Sequence, residues 1–510
     1  MQRALYSLAT VETNIIKAAT PNEKTLHYIW SEILSISPES FGVEANFMSL
    51  GGDSIAAMKL IPIAQAAGLS ISVEDLFTHP VLHDLARVSR QSITEQSQDI
   101  PPFYLMEQAQ NQDELLAEAS THCNLPPDAI HDIYPCTQVQ ERFISTTQIQ
   151  PGAYTLQDVF KISSDMDLAR FKKAWIRTVA SHVALRTRIF LSNDRHQHLQ
   201  VVQKASETLD WIHSENLEEY LKADKAKSME YGGSLVRSAI VSEGVERHFV
   251  VTYHHSIYDA VSLGIIMNDL EALYLDDLYE VKEPKYNAFV HHLTQVKSQE
   301  LSSQFWRDHL AGDRSTITPL YQPVDGARVD SLLRHTIAFP MHYQQSQLSL
   351  TVAAFTYAAL SLVTARLTGS SSAVLELTLL GRSVPVKGIE RMVGTTVTSA
   401  PLRIDTTAGN DKPWTVTVED YLDYAKQRAS SIVLHEHTCM PDPETKHITS
   451  AALPIVVHPS NPHKEALGTG IGLQRREIQS MGQSSSAFYM DIAALDGEGL
   501  EINLPSWGGD

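Results

Sequence analysis

The sequence predicts a small all-α bundle followed by an α/β (α+β) domain of two lobes, and three observations carry that reading. Apolar side chains recur at helical spacing from residue 20 to 92, with no strand signal. A polar run, QSITEQSQDIP at 91–101, leads into Pro101-Pro102 and has the composition of a linker. From Asp132 onward, strand-like runs alternate with helices. The expected boundaries are a helical domain at 20–92, a linker at 93–130, and two lobes at 131–298 and 299–510.

Each element has its own signal. LHYIWSEILSI (26–36) and IAAMKLIPIAQAAG (55–68) read as amphipathic helices, the second stopped at Gly68. VEDLFTHPVLHDLARVSR (73–90) gives a short helical turn, a His-Pro break and a last helix. DELLAEAS is a short helix within the linker. TLQDVFKIS, TRIFLS, HLQVV, SLVRSAIVS and RHFVVTYHH read as strands of the first lobe, around the helix LARFKKAWIRTVASH. The second lobe has the helix SLTVAAFTYAALSLVTARLTG and the strands AVLELTLLG, LPIVVHP, AFYMDIAAL and GLEINLP.

Composition excludes several classes. With 510 residues, 43% hydrophobic and 20% charged, the chain can bury more than one core. A formal net charge of −20 repels nucleic acid. Cys123, Cys136 and Cys439 lie far apart, which argues against a disulfide scaffold or thiolate metal site. No signal peptide and no membrane-spanning apolar run is present, so a cytoplasmic location is expected. His435-Glu436-His437 lacks the spacing of a helical zinc motif and reads as a polar loop or helix end. His291-His292 reads as a solvated pair. No nucleotide-binding loop accompanies the glycines. The chain reads as an excerpt of something longer, cut near PSWGGD.

Two runs carry chemistry. In Leu50-Gly51-Gly52-Asp53-Ser54, two glycines permit a tight turn, and Asp53 and Ser54 open a helix, where free N–H groups suit a phosphodiester. Such residues are also common helix caps. The whole stretch, from LHYIWSEIL through GLSISVEDLFTHPVLHDLA, resembles the peptidyl-carrier family in order and spacing. The resemblance implies a four-helix carrier bundle with 4′-phosphopantetheine attached covalently at Ser54, beside Asp53.

The second run, His254-His255-Ser256-Ile257-Tyr258-Asp259-Ala260-Val261-Ser262, follows the strand HFVVTY. An imidazole there can do acid–base work near neutral pH. With DIYPCTQVQERF (132–143), SHVALRTRIF (181–190), LGRS (380–383) and GIERMVGTTVTSAPLRI (388–404), it resembles the condensation-domain superfamily of nonribosomal peptide synthetases. The resemblance implies two chloramphenicol-acetyltransferase-like lobes in a V shape around a tunnel. It names His255, with His254 and Asp259, as catalytic, and Arg382 and Ser262 as structural support, Arg382 pairing with Asp259. Ser256 or Ser399 would donate to an oxyanion.

Within that superfamily, the missing Glu-Gly-His-Gly-Arg block speaks against epimerisation. Ala260, where elongating members favour Gly, resembles the terminal, cyclising domains of fungal synthetases. The implied function is release of a tethered peptidyl substrate as a cyclic peptide. The implied partners are upstream adenylation and condensation domains and a phosphopantetheinyl transferase, with no nucleic acid and no membrane. Elongation between two carriers, including siderophore-type chemistry, and a non-catalytic docking domain stay open as alternatives.

Overall fold

The computed structural model describes residues 15–34, 36–47, 49–50, 52, 56–57, 60–61, 63–64, 67–71, 73–91, 100–106, 112–282, 284–296, 300–311, 331–338, 352–384, 386–406, 416–438, 452–458, 469–476, 490–495 and 499–506. It divides into two compact units, one holding the described residues up to Gln91 and the other those from Ile100 onward.

In the first unit, helix Pro21–Leu34 buries Leu26, Ile29 and Trp30. It opens with a reciprocal cap: Thr20 Oγ1 accepts from the Glu23 N–H, and Glu23 Oε2 accepts from the Thr20 N–H. Trp30 packs edge-on against Phe47, with centroids 5.0 Å apart. Helices Val73–Thr78 and Leu82–Val88 close the core through Leu76, Leu82 and Leu85. Residues 56–57, 60–61 and 63–64 are helical, and Gly68 follows at φ +85°. The expectation of no strand here is corrected. Strand β1 (Leu69–Ser70) pairs antiparallel with β2 (Arg90–Gln91). Two residues are too few to show an alternating pattern.

The second unit opens with a 3₁₀ turn, Tyr104–Met106, followed by helix Gln112–Cys123, longer than the eight residues read from sequence. The first lobe follows with strands β3 (Ile130–Pro135), β4 (Thr155–Ile162), β5 (Thr187–Ser192), β6 (Gln197–Gln203), β7 (Trp211–Ser214), β8 (Val236–Glu243) and β9 (Glu246–His254). The second lobe carries β10 (Ser331–Ala338), β11 (Ser372–Leu379), β12 (Thr398–Asp405), β13 (Leu453–His458), β14 (Leu473–Arg475), β15 (Met490–Leu495) and β16 (Gly499–Ser506). Three sheets result: β3-β6-β5, β14-β4-β9-β8-β7 and β10-β16-β15-β13-β11-β12.

Helix Leu168–Ser181 shows how the first-lobe core forms. Asp167 caps it by accepting from the Ala169 and Arg170 N–H groups. Its buried stripe, Phe171, Ala174, Trp175 and Thr178, returns every three to four residues. Phe171 and Trp175 stand edge-on to Phe249 of β9 at 5.0 and 5.1 Å. In the second lobe, helices Val352–Thr368 and Val418–Ser431 pack on β11 and β12.

One strand from the second half of the chain joins the first lobe's sheet. Strand β14 lies far along the second lobe, yet it pairs antiparallel with β4, Arg475 opposite Phe160. Arg475 also grips the buried Asp158 of β4 at 2.8 and 3.0 Å. A bidentate guanidinium–carboxylate pair fixes both position and register. The reading of His291-His292 as solvated is corrected too: both are half-buried, and Tyr104 meets the His291 ring edge-on at 5.7 Å. Among the described residues, no helix is long and apolar enough to cross a membrane.

Candidate active site

The site is built where β9 ends. His254 is its last residue, and helix Ala260–Leu275 begins six residues on, capped by Asp259, whose Oδ1 accepts from the Ser262 N–H at 2.8 Å. The short connection between them is pinned at both ends. The His255 N–H donates to Tyr154 O at 2.8 Å.

The two adjacent histidines differ completely. His254 is fully buried, and both nitrogens are engaged. Its Nδ1 accepts from the Ser256 N–H at 3.2 Å, so the proton sits on Nε2, which donates to Thr147 Oγ1 at 2.8 Å. Burial pushes its pKa down to about 3, so the ring is neutral. His254, expected among the catalytic residues, is bonded on both ring nitrogens inside the loop. The Ser256 N–H is spent on His254, so it is not the oxyanion donor anticipated for it.

His255 is only half-buried. Its Nδ1 lies 3.0 Å from Tyr258 O. A carbonyl only accepts, so Nδ1 carries the proton and Nε2 keeps its lone pair. The ring stacks on Tyr258 at 4.7 Å and 14°, and Phe143 packs on it at 4.8 Å. Burial lowers the pKa below its ordinary 6.5.

Asp259 is enclosed. Arg382 Nη2 lies 2.9 Å from both carboxylate oxygens, and both side chains are fully buried. Ser262 Oγ and Thr396 Oγ1 donate to it at 2.7 Å each. Burial alone would raise the carboxyl pKa, but Arg382 and these donors outweigh it and hold it below its ordinary value. Arg382 also donates through Nη1 to Ile389 O and Met392 O. A group so enclosed orients the loop and cannot reach a substrate. Gly381 makes the approach possible: at φ +67°, a Cβ there would lie 1.8 Å from Thr396 O.

Some contributors escaped sequence reading. Gln140 Nε2 donates to Ser256 O at 2.9 Å from the first turn of helix Gln138–Ile149, and a Thr137–Gln140 capping box orients it. That box, Thr-x-x-Gln, is a signal the sequence held. Phe143, Tyr258 and Thr396 had none, because aromatic and hydroxyl residues of this kind usually serve the core. Ser399 Oγ lies 3.4 Å from Arg142 Nη2. His435 ends the short helical turn Val433–His435, with Glu436 buried and His437 half-buried just beyond it. Among the described residues, no group of three potential ligands is placed to hold a metal.

Ser54 and Asp53 lie outside the described residues, as does Cys439. The turn before them is described: the Gly52 N–H donates to Phe47 O at 2.9 Å, and a Cβ on Gly52 would collide with the Phe47 ring at 2.3 Å. Residues 56 and 57 are helical. A serine between a glycine turn and a helix fits a phosphodiester-linked group.

A neutral imidazole on a braced loop, its Nε2 lone pair free, has the chemistry for acid–base work. Residues 130–439 match the condensation domain, and residues 24–88 match the phosphopantetheine attachment site. The chain belongs to the condensation-domain family, preceded by a carrier domain of the kind that bears covalent 4′-phosphopantetheine, as in nonribosomal peptide synthetases. It is 97% identical over 505 residues, 99% of its length, to nonribosomal peptide synthetase GRA1 of Gibberella zeae. It is 34% identical over 435 residues, 82% of its length, to nonribosomal peptide synthetase ecdA of Aspergillus rugulosus. It spans 6% of the length of each of these relatives. The solved structure of holo T3CT shares the fold with a TM-score of 0.60 at 19% identity, covering 79% of this chain and 92% of that one.

Proposed function

We propose that this carrier–condensation pair releases a peptidyl chain held on Ser54 by closing it on itself, through intramolecular amide or ester formation served by His255. 4′-Phosphopantetheine on Ser54 would supply a thioester carbonyl open to attack by an amine or hydroxyl of the same chain. The observation that carries this reading is the tautomer of His255: Tyr258 O holds the Nδ1 proton, which leaves Nε2 to take the proton of the attacking group. Phe143 and Tyr258 fix the ring plane. Asp259, Arg382 and Ser262 hold the loop without proton transfer, and His254 supports it from below. Ring closure gains from proximity, because the nucleophile and the thioester belong to one chain.

Cyclising release is favoured over elongation by Ala260, the residue after Asp259, where elongating members favour Gly. The partners this requires are upstream adenylation and condensation domains and a phosphopantetheinyl transferase. The test is to load Ser54 with a short peptidyl-pantetheine and supply no acceptor. Mass spectrometry should show a released product with no water gained. A chain retained until a second loaded carrier is added would mean elongation instead.

A further inference from the structure

Beside the His255 loop, the second unit holds a cavity of about 130 Å³. Its wall combines the first turn of helix Gln138–Ile149, helix Tyr286–Val296, residues 395–398 and His437. Exposed Gln138 and Thr294 mark its mouth, while Phe289, Thr395 and Thr396 are buried and mark its floor. His255 does not line it. The wall nevertheless reaches the backbone of that residue: Thr395 Oγ1 donates to His255 O at 2.5 Å and lies 3.0 Å from Tyr258 O.

The lining presents acceptors and apolar surface. A hydroxyl has one proton, and the threonines commit theirs to the protein: Thr294 to His291 O, Thr396 to Asp259 Oδ2 and Thr398 to Glu436 O. His437 extends the pattern. Its Nε2 lies 2.8 Å from Gly381 O, which only accepts, so Nε2 carries the proton and Nδ1 keeps its lone pair. Glu436 Oε1 lies 3.9 Å from the same nitrogen. Gly381 does not line the cavity, so the opposite edge of the ring, with Nδ1, is the one turned to it. Among the described residues, no donor meets Nδ1. The side chain is 9% exposed, so a small molecule can touch it. Burial pushes its pKa down to about 4, which keeps the ring neutral. Phe289 stands edge-on to it at 5.4 Å, and Leu293 and Val397 add apolar wall. Half-buried Glu141 is the one charged side chain among the described lining residues, and it disfavours an anion.

We propose that this cavity is a ligand site in its own right, for a small neutral molecule with an apolar body and one N–H or O–H, which donates to His437 Nδ1. The volume sets the size: an apolar cavity of roughly 150 Å³ takes up benzene, so this one suits about five or six heavy atoms. An apolar body fits the walls, and a single donor meets an acceptor that is otherwise unbonded. The site goes beyond the proposed release of a peptidyl chain and does not depend on it.

The test uses the whole chain and two matched probes, pyrrole and furan. Both are flat rings of the same size, and only pyrrole has an N–H. Each is titrated with no thioester present and followed by ligand-observed NMR. The wild-type chain should bind pyrrole with a Kd on the order of 1 mM, about fivefold or more tighter than furan. His437→Phe should bring pyrrole down to the level of furan and leave furan where it was. Leu293→Trp fills the cavity and should abolish binding of both rings. Equal binding of the two rings by the wild-type chain, or no binding of pyrrole, overturns the inference without any variant. So does a pyrrole preference that survives His437→Phe, or binding that survives Leu293→Trp. With no acyl chain present, each result holds whether or not the chain releases a peptide.

Discussion

Removing both partners of the Asp259–Arg382 pair should destabilise the second unit no more than removing either one alone. Both side chains are fully buried, and the guanidinium meets both carboxylate oxygens at 2.9 Å. Arg382→Ala leaves a buried carboxylate with only the Ser262 and Thr396 donors, and frees the carbonyls of Ile389 and Met392. Asp259→Ala leaves a buried guanidinium and removes the cap of helix Ala260–Leu275. Each change should cost about 3–5 kcal/mol, because an uncompensated charge stays inside. In the double variant no charge remains. The cap is worth about 1 kcal/mol and each of the two lost carbonyl bonds about 1 kcal/mol, so the total should be about 3 kcal/mol and not the sum of the singles. The coupling is therefore at least about 3 kcal/mol. Urea denaturation followed by fluorescence, with Trp175 and Trp211 reporting on the second unit, measures all three. A double variant destabilised by the full sum would refute the pairing as the source of the rigidity.

Three further outcomes follow from the same geometry. Burial lowers the His255 pKa below its ordinary 6.5, so release should fall at low pH with a midpoint below 6.5. A stopped assay across pH 5–8 checks this, and a midpoint at or above 6.5 contradicts it. Burial raises the Glu436 carboxyl from 4.5 to about 7. Its stability contribution is therefore complete below about pH 4.5 and lost as pH rises through about 7, on the order of 3 kcal/mol in all. Glu436→Gln should gain that much over wild type at pH 8 but not at pH 4.5, read by urea denaturation. Gly381→Ala combines a left-handed backbone with a Cβ 1.8 Å from Thr396 O, and should cost more than about 2 kcal/mol in the same assay.

Local patterns announced much of this fold. Phe171, Ala174, Trp175 and Thr178 mark a helix by spacing alone, and the apolar run ending at His254 marks a buried strand. What stayed hidden depends on partners distant in sequence. β14 is three residues long and joins the first lobe's sheet by pairing with β4 and by the Arg475–Asp158 contact, more than 300 residues apart in sequence. Strand β12 and helix Val418–Ser431 were not distinguished, because neither stands out by composition from its surroundings. In the site, motif spacing singled out the His254-His255 pair but could not divide its labour. Which ring faces inward depends on Thr147 and Ser256, and which nitrogen carries the proton depends on the Tyr258 carbonyl.

The central claim is that His255 serves the chain carried on Ser54. The most direct measurement is intact-protein mass spectrometry of His255→Ala beside wild type, each loaded with the same peptidyl-pantetheine and followed over time. The account predicts that both proteins gain the full loaded mass and that only the wild type then loses its acyl group to a product without added water. Release from His255→Ala at the wild-type rate would contradict it.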